Sequence, residues 1–513
     1  MSMPTDPRLL DARRESRRLA RPTGARVRFL LLVNVTFAIW YFAWLLAPQR
    51  VGNRMLYAVL VAAELFNLIQ AAGFWWTCAG DRFRRTPIRE TETVDVDVLI
   101  PVYGEPIDVV EPTIAAASRL RAARVRVALL DDGDSPKMEA LAARYRVTYL
   151  RRTPHTGAKA GNLNNALRLT NAPFVAVFDC DHVPDPRFLE VTLAHLLADP
   201  RTAFVQTPQY YANAANGGLP AVAWAQQALF FGAIARGKDR LGAMFCCGTN
   251  VAFRRTAIEA VGGFPESSLT EDFELSIRLH AAGWQSKYVP EILAQGLGPE
   301  DMAAYVSQQH RWARGCLSSL PAALRSRLPW PLRAQYLLSA MFFLSGWSML
   351  VYMLLPVLRI LTGAQPLAGA TADQFLLHFA PYFLACLVSV IVAGTGSYTF
   401  AAFALTAASF WLHIHASIVA LLRRPSRFVV TPKRGRAGRQ LKAVLPALIA
   451  VSVMVVSAGV GLLRDRSPAT LNNVAFATLH ICVLLSGAGP ALRRSDRALD
   501  RSAVTGRRGR RAA

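Results

Sequence analysis

Two aspartates separated by a single residue, Asp179 and Asp181, directly follow the apolar run at residues 174–178. The run predicts a short buried strand, and ligands collect beyond strand ends in open α/β sheets. Two carboxylates at the end of a stiff element can hold a hard divalent cation, which commonly bridges to a diphosphate. A solvated acidic turn is the alternative for an isolated pair, so this interpretation depends on the rest of the chain.

Acidic residues follow two further predicted strands. From about residue 91, strand-like runs at 94–100, 125–130, 147–150 and 174–178 alternate with amphipathic stretches. This alternation predicts a mostly parallel sheet with right-handed crossovers. Glu105 follows the first strand and Asp131 the second. Carboxylates gathered at one sheet edge repel each other unless a metal ion or a hydrogen-bonding ligand lies among them, which predicts a site at this edge.

Two helical segments later in the chain present more polar residues. Residues 269–283 look helical, with Asp272 near the start, where the helix dipole favours a carboxylate. An ordinary helix cap is the other interpretation of this start, and both can hold together. Gln308, Arg311 and Trp312 have helical spacing that places them on one face. An interfacial helix anchored by Trp and Arg is the alternative there.

The composition indicates a membrane protein. The 513 residues are 53% hydrophobic, with a mean hydropathy of +0.25 and a formal net charge of +24. Arginines cluster beside long apolar runs, which favours membrane topology over nucleic-acid binding. The seven cysteines lack the spacing of a disulfide framework or a metal site, so we interpret them as reduced thiols.

Six apolar runs are long enough to span a bilayer, which takes about 20 helical residues. They lie at 29–47, 55–76, 336–361, 375–393, 443–463 and 474–492. Their basic flanks predict that both termini lie in the cytoplasm of a multi-pass plasma-membrane protein. Residues 400–422 are apolar enough to span, but crossing there would place the basic segment 428–439 outside, so we predict an interfacial helix.

The second span carries Glu64, Asn67 and Gln70 along one helical face. Polar groups are costly in hydrocarbon, so this face should look into protein or a water-filled path. Simple helix–helix hydrogen bonding is the equal alternative.

Six motifs of the chain occur in the order of a known family. They are Asp131-Asp132-Gly133, Lys159-Ala160-Gly161-Asn162-Leu163-Asn164, Asp179-Cys180-Asp181, Thr270-Glu271-Asp272, Gln308-Gln309-His310-Arg311-Trp312 and Phe428-Val429-Val430-Thr431-Pro432-Lys433. Over roughly residues 94–433 the chain resembles the membrane-embedded processive family 2 glycosyltransferases, in particular the catalytic subunits of bacterial cellulose synthases. One departure is Gly104, where the family usually has Asn.

The resemblance implies a role for each motif in transferring a sugar from a nucleotide diphosphate. Glu105 and Asp131 would contact the uracil and ribose, and Lys159 the diphosphate. Asp179 and Asp181 would hold Mg²⁺ or Mn²⁺ beside the leaving UDP. Asp272 would be the general base of an inverting reaction.

The resemblance also implies how the growing polymer and the nucleotide are held. Gln308, Arg311 and Trp312 would bind substrate, because a guanidinium suits a diphosphate and an indole suits a pyranose ring. Phe428, Thr431 and Lys433 would belong to a loop that covers the nucleotide, although a polybasic membrane anchor is the alternative for that stretch. Cys247 is expected to be a packed thiol near the acceptor.

We therefore predict a GT-A type α/β glycosyltransferase domain, with a mostly parallel sheet, inserted in a bundle of about six transmembrane helices. The predicted division is a basic segment 1–28, a hairpin 29–76, the cytosolic domain 91–320, spans and interfacial helices 321–422, a gating-type loop 423–439, two spans 443–492 and a basic tail 493–513.

The predicted activity is polymerisation of a β-linked polysaccharide, with UDP-glucose and β-1,4-glucan leading and UDP-N-acetylglucosamine or another hexose next. A non-processive transferase with a lipid acceptor and a transporter without chemistry are the other classes. The expected partners are the UDP-sugar, the growing chain, the bilayer and an accessory extracytoplasmic subunit, with no nucleic acid.

Overall fold

A computed structural model describes residues 7–80, 94–424 and 440–492. In these three ranges, ten strands form two sheets. They are β1 (Val94–Val102), β2 (Ala123–Asp131), β3 (Thr148–Arg151), β4 (Phe174–Val177), β5 (Val183–Pro184), β6 (Thr202–Gln206), β7 (Tyr210–Tyr211), β8 (Val251–Arg254), β9 (Gln285–Tyr288) and β10 (Ala294–Gly296).

Twenty α-helices precede, surround and follow these strands in the described ranges. They are α1 (Pro7–Leu19), α2 (Gly24–Leu45), α3 (Arg54–Cys78), α4 (Ile107–Ala117), α5 (Pro136–Tyr145), α6 (Ala158–Leu169), α7 (Phe188–Ala198), α8 (Gly218–Leu229), α9 (Ala235–Arg240), α10 (Arg255–Ala260), α11 (Glu271–Ala281), α12 (Met302–Ser318), α13 (Leu320–Arg325), α14 (Trp330–Met341), α15 (Ser345–Thr362), α16 (Ala372–Ala393), α17 (Phe400–Ala408), α18 (Phe410–Leu421), α19 (Leu445–Arg464) and α20 (Pro468–Leu492).

The large sheet is mostly parallel, as predicted. Its strand order is β3-β2-β1-β4-β8-β6-β9, and the pairs β1–β2, β2–β3, β1–β4 and β6–β9 are parallel. Only β8 runs antiparallel to its neighbours in this sheet, β4 and β6. The carboxyl ends of β1, β2 and β4 therefore meet at one edge.

Strand β4, at the centre of the sheet, is apolar throughout because helices cover both faces of the sheet. All four residues of β4 are buried. Alternate side chains of β4 enter two separate cores: Phe174 and Ala176 pack on one face, and Val175 and Val177 on the other. This burial on both sides makes the edge beyond β4 a rigid platform for the residues that follow.

Seven helices in the described ranges are long and apolar enough to cross a membrane. Six of them overlap the predicted spans. The seventh, Gly218–Arg240, combines α8, a π-helical turn and α9, and it lies inside the range predicted as the cytosolic domain, where the sequence analysis had singled out no such helix. The predicted interfacial helix is two helices, α17 and α18, bent by 45° at Ser409.

Large apolar side chains on the candidate spans face outward. Met55 is 76% exposed and Leu463 is 87% exposed. Exposed apolar surface on this scale marks contact with a membrane or a partner. Most of these helices therefore present a lipid-compatible face.

The polar face of α3 looks into the helix bundle. Glu64 is buried, and the amide of Asn67 donates a hydrogen bond of 2.7 Å to the hydroxyl of Tyr352 on α15. Ser348 on the same helix donates to Asn67 Oδ1 at 3.2 Å. For Asn67, the structure thus has the helix–helix hydrogen bonding that was one of the two interpretations.

Candidate active site

A cavity of about 350 Å³ opens at the carboxyl edge of the large sheet. The ends of β1, β2 and β4 form its floor, and the first turns of α6 and α11 form two of its sides. Helix α12 closes the opposite wall. Of the predicted residues, the cavity is lined by Glu105, Lys159, Asp179, Asp181, Asp272, Gln308, Arg311 and Trp312.

The two aspartates after β4 lie beside a histidine. Asp179, Asp181 and His182 each offer one potential metal-ligand atom, and these three atoms lie within 4.8 Å of one another. Both ring nitrogens of His182 are buried without a hydrogen-bond partner in the described part of the chain, and Nδ1 lies 3.4 Å from Asp181 Oδ1. Two carboxylates and an imidazole with a spare nitrogen fit a divalent cation. The sequence analysis assigned His182 no role, although its adjacency to Asp181 was a usable signal.

Lys159 lies on the first turn of α6. Its Nζ is 2.5 Å from Asp179 Oδ1 and donates to the carbonyl oxygen of Gly248 at 2.7 Å. Burial alone would lower the pKa of Lys159, but the charges of Asp179 and Glu271 outweigh burial and raise the pKa above its ordinary value. Lys159 is therefore a fixed cation at a helix N-terminus, where anions bind favourably.

Asp272 lies in the first turn of α11, close to the start of the helix predicted at residues 269–283. Its Oδ1 accepts the backbone N–H of Phe273 at 2.8 Å. Burial and the neighbouring Glu271 raise the pKa of Asp272 to about 7, against the opposing effects of the Phe273 N–H and Lys159. A carboxyl group with a pKa near neutrality can exchange a proton under ordinary conditions, as a general base must.

The cap interpretation of this helix start holds only in part. Thr270 occupies the N-cap position of α11, but its side chain makes no capping hydrogen bond. The acidic residues of the first turn are therefore not explained by a side-chain capping contact from Thr270.

Gly248 fits closely between the base and the lysine. Its φ angle is +83°, and a Cβ atom there would lie 3.0 Å from Asp272 Oδ2 and 3.6 Å from Lys159 Nζ. A side chain at this position would combine backbone strain with a close contact to the base. The approach of this loop to Asp272 thus requires glycine.

Helix α12 presents its predicted face to the cavity. Gln308, Arg311 and Trp312 all line the cavity wall, so the substrate-facing interpretation is favoured over a purely interfacial helix. His310, in the same motif, makes a contact of 2.9 Å between its Nε2 and Nδ1 of His415 on α18. Helix α18 therefore backs the helix that forms the cavity wall.

The two acidic residues predicted to contact the nucleoside have different positions. Glu105 lines the cavity and accepts the backbone N–H of Tyr103 at 2.5 Å. Asp131 is fully buried behind the wall, where its carboxylate accepts the N–H groups of Gly133 and Ser135 and the hydroxyl of Tyr149. Asp131 does not line the cavity, and its contact with the nucleoside stays a prediction.

Its neighbour Asp132 lines the cavity instead. Arg152 holds Asp132 with two hydrogen bonds of 2.8 and 2.7 Å. The sequence does not predict this pair, because nothing in it indicates which of two adjacent aspartates faces the cavity.

Two further loops, at residues 206–209 and 245–248, also meet at the cavity. Gln209 and Cys247 line it, and the Gln209 amide donates to the Cys247 carbonyl. Burial raises the pKa of the Cys247 thiol, so the thiol stays protonated. This agrees with a packed thiol rather than a nucleophile. Phe428, Thr431 and Lys433 lie outside the described residues.

Comparisons with known proteins agree with this geometry. Residues 174–422 match the family model described as "Glycosyl transferase family group 2". A mannosyltransferase from Pyrobaculum calidifontis, solved in complex with GDP-Man and Mn²⁺, superposes with a TM-score of 0.53 at 17% identity, covering 72% of this chain and 100% of the other. That likeness shows the fold.

Two curated relatives match most of this chain. "Cellulose synthase 2" of Novacetimonas hansenii is 30% identical over 89% of this chain and 30% of its own length. The "Cellulose synthase catalytic subunit [UDP-forming]" of Pseudomonas fluorescens is 29% identical over 85% of this chain and 61% of its own length. The chain thus spans less than two thirds of the length of either relative.

The fold is that of a GT-A type glycosyltransferase domain, and residues 174–422 match the family 2 glycosyltransferase model. This domain is joined to helices suited to a membrane. Within that class, the chain is similar to the catalytic subunits of bacterial cellulose synthases.

Proposed function

We propose that this protein is an inverting, processive glycosyltransferase that polymerises a β-linked polysaccharide from a UDP-sugar. The leading donor is UDP-glucose and the leading product is β-1,4-glucan, because the relatives that match most of the chain are named for cellulose synthesis. The polymer leaves through a path among the chain's own membrane helices.

One observation carries this proposal. A carboxyl group suited to accept a proton, a fixed cation and a cluster of metal-type ligands all face one cavity. These three features are Asp272, Lys159 and the set Asp179, Asp181 and His182. Sugar transfer from a nucleotide diphosphate needs a proton acceptor on one side of the reacting carbon and charge neutralisation on the other.

The residues divide the reaction between them. Asp272 accepts the proton of the acceptor hydroxyl as the oxygen attacks the anomeric carbon on the face opposite UDP, which inverts the configuration there. Lys159 and the N-terminus of α6 bind the diphosphate. Asp179, Asp181 and His182 would hold Mg²⁺ or Mn²⁺, which when bound neutralises charge on the leaving diphosphate.

Retention of the product is the function we assign to α12. Trp312 can stack its indole on a sugar ring, while Arg311 offers a planar donor group to a diphosphate or a hydroxyl. Both line the same cavity as Asp272. Phe428, Thr431 and Lys433 would cover the nucleotide during each transfer.

We also propose six membrane spans, with both termini and the sheet domain in the cytoplasm. The apolar helix Gly218–Arg240 would cross about 35 Å if it were straight. However, Gly232 within this helix has non-helical backbone angles. The chain segments that precede and follow the helix also contact each other, because the Cys247 N–H donates to the Gln206 side chain at 2.8 Å. These contacts favour a helix that stays on one side of the membrane.

The test uses the full chain in membrane vesicles. Each of UDP-glucose and UDP-N-acetylglucosamine is supplied separately, and released UDP and insoluble product are measured. Linkage-specific hydrolases then digest the product. We expect UDP release with UDP-glucose and a product cut by a β-1,4-glucanase. A single sugar on a lipid would identify a non-processive transferase, and no UDP release from either donor would contradict the proposal.

A further inference from the structure

The serine one turn beyond the proposed base lies at the junction of three elements. Ser276 is fully buried on α11. Its hydroxyl donates to the carbonyl oxygen of Asp272 at 2.7 Å. The Oγ atom of Ser276 in turn accepts the backbone N–H of Cys246 at 2.8 Å. Ser276 thus ties the first turn of α11 to the loop at residues 246–248.

The same loop also contacts Lys159, the cation of the site. The carbonyl oxygen of Gly248 accepts Lys159 Nζ at 2.7 Å, and Gly248 lies against Asp272 Oδ2. The position of the loop therefore sets the separation between the base and the cation. Within the loop, the N–H of Cys247 is held separately by Gln206 at 2.8 Å.

Helix α14 supports the same face of α11 from the membrane side. The hydroxyl of Tyr336 makes a hydrogen bond of 2.7 Å with Nδ1 of His280, which lies one turn beyond Ser276 on α11. The Tyr336 ring packs on Phe273 with centroids 5.2 Å apart, and Phe273 packs on Phe245 at 5.0 Å. Phe273 and Phe245 are the chain neighbours of Asp272 and Cys246, so the ring contacts reinforce the hydroxyl contacts.

We propose that Ser276 is a positioning residue that clamps the loop 246–248 to the base helix, and that Tyr336 extends this clamp to the helix leading into the membrane. The clamp holds Gly248, and with it Lys159, at a set distance from Asp272. Its catalytic consequence rests on the function proposed above, whereas the clamp itself is independent of the reaction. An ordinary buried helix serine would bond only the carbonyl four residues back.

The first measurement reads the clamp without turnover. Full-length protein in nanodiscs is compared by hydrogen–deuterium exchange as wild type, Ser276→Ala and Thr192→Ala. Thr192 is the matched control, because it is buried and its hydroxyl donates to the carbonyl four residues back at 2.8 Å, in α7. We expect exchange at Cys246 to rise about tenfold or more in Ser276→Ala only. Unchanged exchange at Cys246 would overturn the clamp.

The second measurement reads its consequence with UDP-glucose. We expect kcat per folded enzyme to fall about 10- to 100-fold in Ser276→Ala while KM changes less than about twofold, since geometry rather than donor binding is lost. Tyr336→Phe keeps the ring and should lower kcat less, in the same direction. Wild-type kcat in Ser276→Ala, or a raised KM alone, would overturn the positioning role, and wild-type kcat in Tyr336→Phe would overturn the extension to α14.

The two failures are distinguishable. If the wild type releases no UDP from any UDP-sugar, the proposed function is wrong, and the exchange experiment still decides whether Ser276 clamps the loop.

Discussion

The ammonium of Lys159 lies 2.5 Å from the carboxylate of Asp179, so the cation of α6 is bonded to one of the metal-type ligands after β4. If a divalent cation and a diphosphate bind together, Asp179 could contact the metal and Lys159 could contact the phosphate in place of each other. The pair therefore keeps two charges neutralised and oriented within the cavity.

The proposed base gives the most direct prediction. Asp272→Asn preserves the shape of the side chain but cannot accept a proton, so polymer synthesis should fall by about 10²- to 10⁴-fold while UDP-sugar still binds. Product formation and donor binding are measured separately. Glu274→Gln is the control, because Glu274 lies on the same helix and pairs with Arg278 at 2.6 Å. Synthesis within a few-fold of wild type in Asp272→Asn would remove the residue from this role.

The metal-type cluster predicts dependence on a divalent cation. Chelation with EDTA should stop UDP release, and added Mg²⁺ or Mn²⁺ should restore it. Asp181→Ala should weaken donor binding, because its carboxylate lies in the cluster with Asp179 and His182. Turnover that persists in excess chelator would mean that these residues only shape a turn.

The pH profile of the reaction tests the environment of Asp272. Its pKa is raised to about 7, and only the deprotonated form accepts a proton, so kcat should rise with pH through this region. Glu271 contributes to the raised pKa, so Glu271→Gln should move the rise to lower pH. Glu274→Gln should leave the profile in place. A profile that is unmoved in Glu271→Gln would contradict this origin of the shift.

The proposed cover segment separates two interpretations of its basic sequence. Phe428→Ala and Thr431→Ala remove no charge, so a polybasic membrane anchor would not notice them. A loop that closes over the nucleotide would lose much of its polymerisation rate in both variants while the protein remains in the membrane. Rates and membrane yields are measured together, and near-normal rates in both variants would leave only the anchor.

Asp131 predicts an effect on stability. Asp131→Asn replaces the buried carboxylate that accepts the N–H groups of Gly133 and Ser135. The loss of these charge-assisted hydrogen bonds should lower the free energy of unfolding by about 1–3 kcal/mol. Thermal unfolding in detergent checks this change. If the variant has wild-type stability but no longer binds UDP-sugar, the result would instead support the direct nucleotide contact that the family resemblance implies.

The sequence alone predicted at which edge of the sheet the candidate site lies. Strands that run parallel must end at the same edge, so the acidic residues after β1, β2 and β4 could be predicted to gather there before any contact was known. Helical spacing likewise placed Gln308, Arg311 and Trp312 on one face of α12. The membrane helices followed from long apolar runs, because a bilayer demands a minimum length of apolar helix.

Only the tertiary structure decided which atoms meet. Asp131 and Asp132 are neighbours in sequence and both are buried, yet Asp132 lines the cavity and Asp131 does not, because adjacent residues of an extended chain point to opposite sides. Lys159 and Gly248 are 89 residues apart, and Cys246 and Ser276 are 30 apart. Neither contact leaves a periodic trace in the sequence, since periodicity records which face of its own element a residue occupies and not the partner that packing brings to that face.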